Sequence, residues 1–204
     1  MMTQTHTLVA ACLFARPERP ARQNLAILIG SFLPDAAIYI LFIWSKFAQI
    51  PENLLWRDLY FSEPMLTFTA IGNSFPLYYV ILLIAIMWAK RSTTEEDYGK
   101  LALGSTLGLL ALAAMTHLAG DLPVHAKDAH PHFWPLTGWR FHSPVSYWDK
   151  NHYGGIFSLI EVALGVVLSI IIYRRFKQLW VRLLAVLALF TYVAVPAYFQ
   201  MMMG

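Results

Sequence analysis

Five stretches of about 20 residues, each nearly free of charge, run through this chain, and each is long enough to cross ~30 Å of hydrocarbon as a helix. They are Asn24 to Trp44, Leu66 to Trp88, Leu101 to Leu122, Tyr153 to Tyr173 and Leu179 to Phe199. An earlier apolar run, Thr7 to Ala15, is too short to span and is closed by Arg16-Pro17-Glu18-Arg19-Pro20. It reads as a half-span or a packed antiparallel helix within residues 1–15. The expected fold is therefore all-α: one integral membrane domain over residues 1–204, with about five transmembrane helices, a short N-terminal helix, and a long loop, 123–152, between the third and fourth spans.

Composition supports this and removes alternatives. Of the 204 residues, 58% are hydrophobic and 13% charged, with a mean hydropathy of +0.52, whereas roughly a quarter of a soluble domain is charged. The charges suffice for span ends and loops but not for a sizeable extramembrane domain. A single cysteine, Cys12, excludes a disulfide scaffold. The net charge of +3 fits lysines and arginines that set topology, so nucleic acid is not an expected partner. Arg16, Arg19 and Arg22 follow the first apolar run instead of preceding it, which argues against a cleaved signal peptide.

Positive residues of short loops are retained on the cytoplasmic side. With Arg16 to Arg22, Lys90 to Lys100 and Arg174 to Arg182 inside, that side holds ten Lys/Arg against five on the other. Loops 45–65 and 123–152 and the C-terminus are then expected to face outward.

Within such apolar spans the information lies in the polar exceptions, since an ionisable group there costs at least ~2.5–3.5 kcal/mol on insertion scales and needs a partner or a task. These are Asp35 in the first span, His117 and Asp121 in the third and Glu161 in the fourth, with His6 in the short N-terminal helix. Counting helix rise places all five in the outer half of the bundle, where they can converge. His117 and Asp121, four residues apart, share one helical face. Imidazole with carboxylate suits zinc or another divalent first-row metal; the alternative is a hydrogen-bonded pair joining two helices. Pro34 frees a backbone carbonyl and bends the first span beside Asp35. Glu161 is either a helix-joining hydrogen-bonding residue or a base. His125 extends the His117/Asp121 face by one turn, although Pro123 sets a helix boundary near Leu122.

Loop 123–152 carries five of the seven histidines. Its tryptophans fit an interfacial belt, but histidine has no such preference. With Arg140, whose planar fork binds two oxygens of an anion, His130, His132 and Trp134 form a candidate pocket for a phosphate or carboxylate. Asp149 reads either as a cap or as a pair with His152.

These residues resemble a known pattern. His6, Gly30-Ser-Phe-Leu-Pro34-Asp35, Thr116-His117-Leu-Ala-Gly-Asp121, and Trp134-Pro135 running into Trp139-Arg140-Phe141 look like the bacterial membrane-bound metal-dependent hydrolase family, small inner-membrane proteins with remote similarity to zinc-dependent phospholipases C. Two features depart from that pattern: Asp35 is followed by Ala36 and Ala37 where the family has a second acid, and no histidine lies between His6 and His117. The resemblance implies a divalent metal, zinc by preference, held by His6, Asp35, His117 and Asp121. A hydrolase with this site would use Glu161 or His125 as general base, and its placement at the membrane surface suits a membrane lipid or a lipid-linked phosphate or ester as substrate. The competing expectation is non-enzymatic: a transporter, a metal- or proton-handling protein, or an assembly subunit.

Overall fold

The computed structural model describes residues 1–91 and 98–203, so part of the expected Lys90 to Lys100 turn lies outside the described residues. Among the described residues its regular secondary structure is all helical, without strands. The elements are α1 (Thr3–Phe14), α2 (Ala21–Phe32), α3 (Ala36–Phe47), the single turn α4 (Glu52–Leu54), α5 (Glu63–Gly72), α6 (Phe75–Arg91), α7 (Tyr98–Asp121), α8 (Gly154–Arg175) and α9 (Leu179–Met203). Five runs are long and apolar enough to cross a membrane: Ala21–Phe47, Glu63–Lys90, Gly99–Val124, Gly154–Arg175 and Leu179–Tyr198. The expected helix bundle is the observed one.

Two of the five runs are broken, and the breaks meet. The first passes through a 3-10 turn at Leu33–Asp35, where Pro34 cannot donate to the helical ladder. The second, expected to be continuous, stops at Gly72 and restarts at Phe75. Asn73 explains this stop: its Nδ2 donates to the Pro34 carbonyl at 3.1 Å and the Thr69 carbonyl at 3.0 Å. Ser74 starts the next helix, its Oγ accepting the Leu77 N–H at 3.1 Å in the manner of an N-cap. Non-helical backbone is tolerated at membrane depth only where protein satisfies it, and here each broken run helps satisfy the other.

The half-span α1 is an interior helix, packed on α2, α7, α8 and α9. Asn24 fixes its turn into α2, accepting the Arg16 N–H at 3.1 Å and donating to the Arg16 carbonyl at 2.8 Å. Helix α8 runs parallel to α1 and caps both of its ends. At the N-terminal end Glu161 Oε1 accepts the Met2 N–H at 2.6 Å. At the other end the Arg175 guanidinium donates to the carbonyls of Ala11, Cys12 and Ala15 at 3.2, 2.8 and 3.0 Å. The carboxylate lies at the positive end of the α1 dipole and the guanidinium at its negative end, so both charges are favourable.

Helix α7 is the central post, packing extensively on α2 and α6. Gly30 lets α2 approach it closely, since a Cβ there would lie 2.1 Å from the Leu110 carbonyl oxygen. Ala113 shares the core cluster of Ile27 from α2, while Ala111 and Ala114 share that of Tyr78 from α6, all buried. The outer faces of α3, α6, α8 and α9 instead expose Ile43, Val80, Leu159 and Phe190, the apolar perimeter a lipid-facing bundle requires. Between α3 and α5 the chain is compact: α4 runs into a π-turn at Leu55–Leu59, and Glu52 is held by Lys46 and Tyr198.

Candidate metal centre

Three elements bring four of the polar exceptions together. Helix α1 supplies His6, the 3-10 turn after α2 supplies Asp35, and the last turns of α7 supply His117 and Asp121. Asp121 is the hub. Its Oδ1 lies 2.8 Å from His6 Nε2, 3.2 Å from His125 Nε2 and 2.6 Å from the Met1 amino nitrogen; its Oδ2 lies 3.0 Å from His117 Nε2. Asp35 Oδ1 is 3.5 Å from the same His117 nitrogen. The imidazoles of His6 and His117 stack with centroids 3.5 Å apart and planes 9° from parallel. His6, His117 and Asp121, all buried, each offer a ligand atom within 4.8 Å of the others.

His117 carries the most informative geometry. Its Nδ1 lies 2.6 Å from the Ser31 carbonyl oxygen, which can only accept, so Nδ1 holds the proton. In the neutral ring Nε2 is then a lone pair. That atom is buried, has no aligned hydrogen bond, and still faces oxygens of Asp121 and Asp35. A lone pair set against carboxylates is repulsive, and either a proton on Nε2 or a metal cation among these groups relieves it. A backbone acceptor on the far nitrogen is the usual device for orienting a metal-ligating histidine. Two imidazoles and two carboxylates also form the donor set that suits zinc. Gly120 leaves room for the His6 ring, since a Cβ there would stand 3.2 Å from its Cε1.

His125 joins the cluster despite Pro123. Helix α7 ends at Asp121, but a 3-10 turn over Leu122–Val124 continues the rotation and returns His125 to the same face. Its other nitrogen lies 3.0 Å from Asp128 Oδ2, which also accepts the Trp148 Nε1–H at 2.9 Å. Burial disfavours charge on His125, but the Asp121 and Asp128 carboxylates outweigh it and raise the imidazole to about 9. Burial likewise opposes ionisation of Asp128, and the His125 and Trp148 contacts prevail, lowering it to about 2. His130 is depressed to about 3, first by burial and then by the neighbouring His125 charge.

Glu161 makes a different contact from the one expected of a base at the cluster: Oε1 is occupied by the Met2 N–H, and the buried Oε2 has no hydrogen-bond partner. It reaches the cluster through α1. The surface pocket expected of His130, His132, Trp134 and Arg140 is also rearranged, because the loop folds inward. His130 and His132 are buried. His132 Nδ1 donates to the Asn73 carbonyl at 3.1 Å, and the His132 carbonyl accepts the Phe75 N–H at 2.9 Å. The Trp134 carbonyl accepts the Ser74 hydroxyl at 2.5 Å. Arg140 lies on the Ala129 carbonyl at 3.5 Å. His132 thus fills the break between α5 and α6, where it meets unpaired backbone, and His130 packs beside His125 with ring centroids 5.2 Å apart. Asp149 caps, accepting the Asn151 N–H at 2.9 Å, and also pairs with His152 at 3.0 Å.

Sequence reasoning passed over Ser31, Thr3 and Asp128. Ser31 acts through its carbonyl, which no side-chain pattern announces. Thr3 donates to Asp35 Oδ2 at 2.5 Å from a helix turn that carries no charged side chain. Asp128 was legible as an acid three residues from His125.

Compared with known proteins, the chain matches no family model, no curated protein and no solved structure.

Proposed function

We propose that this chain is a membrane-embedded metal-dependent hydrolase, acting at the outer membrane–water interface of a bacterial inner membrane on a phosphate- or ester-containing substrate. The observation that carries the reading is the buried convergence of His6, His117 and Asp121 ligand atoms, with His117 turned by the Ser31 carbonyl so that Nε2 faces two carboxylates. His6, Asp35, His117 and Asp121 would hold a divalent metal, zinc by donor type. When bound, such an ion polarises the oxygen of a scissile bond and acidifies water. The residues do the rest. Ser31 and Thr3 orient His117 and Asp35, and α8 holds α1 and with it His6. His125, held between Asp128 and the hub carboxylate, is the group placed to exchange a proton with substrate or water there. The excess of basic residues on the opposite loops supports an outward-facing site.

Elemental analysis of detergent-purified protein tests this directly. Wild type is expected to carry stoichiometric zinc or a similar divalent metal, and His117→Ala with Asp121→Ala to lose it. Wild-type protein lacking metal under zinc-replete expression would end the reading. Metal without hydrolysis of phosphodiester or ester reporters would leave metal handling as the function.

A further inference from the structure

Resting on that reading, the pattern of exposure around the cluster suggests where its substrate comes from. His6, His117, Asp121, His125, His130 and His132 are all buried, and the inward-folded loop covers the end of the bundle above them. Backbone bonds seal that cover, with the Ser143 N–H on the His125 carbonyl at 2.9 Å and the Tyr147 N–H on the Val124 carbonyl at 3.0 Å. Asp35 differs: its side chain is 14% exposed. A short chain of hydrogen bonds leads outward from it, Asp35 Oδ2 accepting from Thr3 Oγ1 at 2.5 Å and Thr3 Oγ1 accepting from Tyr39 OH at 3.1 Å. Tyr39 is 41% exposed and Phe32, its ring partner at 5.1 Å, is 38% exposed. Both lie within the first membrane-crossing run, and Ile40, Ile43 and Trp44 beyond them are exposed apolar side chains.

A polar seam continues down the same interface, with Ser31 Oγ donating to Thr7 Oγ1 at 3.3 Å. Carboxylate and hydroxyls are costly at a lipid-facing position and call for a task. We infer that the centre opens sideways into the bilayer, through a portal framed by Thr3, Phe32, Asp35 and Tyr39, and admits a membrane amphiphile whose polar headgroup reaches Asp35 while its acyl chains stay among lipid. Tyr39 is the gate, holding Thr3 across the opening. A water-soluble compound with the same headgroup would have to cross hydrocarbon to use this entrance.

The test uses the full chain in nanodiscs containing a phospholipid with a photoactivated diazirine beside its headgroup, with a soluble diazirine on the same headgroup as control. Mass-spectrometric mapping should find lipid adducts on Asp35 and Tyr39, with the soluble probe at least tenfold weaker there. Lipid adducts confined to Ile40, Ile43 and Trp44, or equal labelling of Asp35 by the soluble probe, would overturn the portal. In metal-loaded protein, a long-chain substrate should exceed its short-chain soluble analogue in kcat/KM by at least tenfold, and Tyr39→Trp should reduce that ratio by slowing only the long-chain substrate. Equal rates for the two substrates would also overturn the portal. If neither substrate is cleaved, the hydrolase reading fails and the labelling pattern alone decides the route.

Discussion

At the scale of single residues, the carboxyl of Glu161 shows how one group can look catalytic in a sequence and be structural in the fold. It accepts the Met2 N–H at the start of α1, and α1 carries His6, so its effect on the cluster passes through a helix position. Glu161→Gln keeps an acceptor and loses only the charge near a helix end, a change of ~0.3–1 kcal/mol. Glu161→Leu leaves a buried N–H unmet, which costs ~1–3 kcal/mol. The leucine variant is expected to unfold earlier in detergent and to bind zinc about tenfold more weakly in a chelator competition, as supporting residues of metal sites usually do, while the glutamine variant stays near wild type in both. Abolished hydrolysis in Glu161→Gln with stability and zinc binding intact would instead make Glu161 a base.

At the scale of elements, the broken spans matter most. Gly72 lies against the first break, a Cβ there standing 3.2 Å from the Pro34 carbonyl oxygen, and Asn73 bonds that same oxygen. The turn bearing Asp35 is therefore braced by a contact between residues 39 apart in sequence, Asn73 and Pro34. Asn73→Leu removes two buried hydrogen bonds and should destabilise the protein by ~1–3 kcal/mol. It should also weaken metal binding, since the turn bearing Asp35 loses its brace. Parallel unfolding and zinc titrations would check both effects, and full zinc affinity in a destabilised variant would show that Asp35 is held by α2 and α3 alone.

At the scale of the whole molecule, the inward-folded loop couples the cover of the site to pH. His130 has its folded value depressed from 6.5 to about 3, so the folded state keeps it neutral while an opened loop would take up a proton below 6.5. Its contribution is fully present above pH 6.5 and is lost progressively as pH falls toward 3. Asp128, lowered from 3.8 to about 2, contributes above 3.8 and loses its contribution as pH falls through about 2, so it does not offset the loss between 6.5 and 3.8. His125, raised from 6.5 to about 9, reaches its full contribution only below 6.5, so the window free of its opposing change is pH 6.5 to 5. Hydrogen exchange of residues 125–148, corrected for intrinsic rates, should accelerate relative to α7 as pH is lowered from 6.5 to 5. Unchanged protection over that range would show the cover to be held by its backbone bonds alone.

Long apolar runs leave a helix bundle as the outcome, because a backbone in lipid must satisfy its own polar groups, and that much is determined by the sequence alone. The polar exceptions Asp35, His117 and Asp121 were legible for the same reason: hydrocarbon makes each of them expensive. Their convergence with His6 could be estimated from helix rise, since depth along a helix is a local quantity. Which atoms meet was decided only by tertiary structure. The break at Asn73 depends on a carbonyl in another span, the burial of His132 on backbone groups which that break exposed, and the proton on His117 on the carbonyl of Ser31. These are interactions of backbone groups, identical at every position of the chain until the fold gives each one its neighbours.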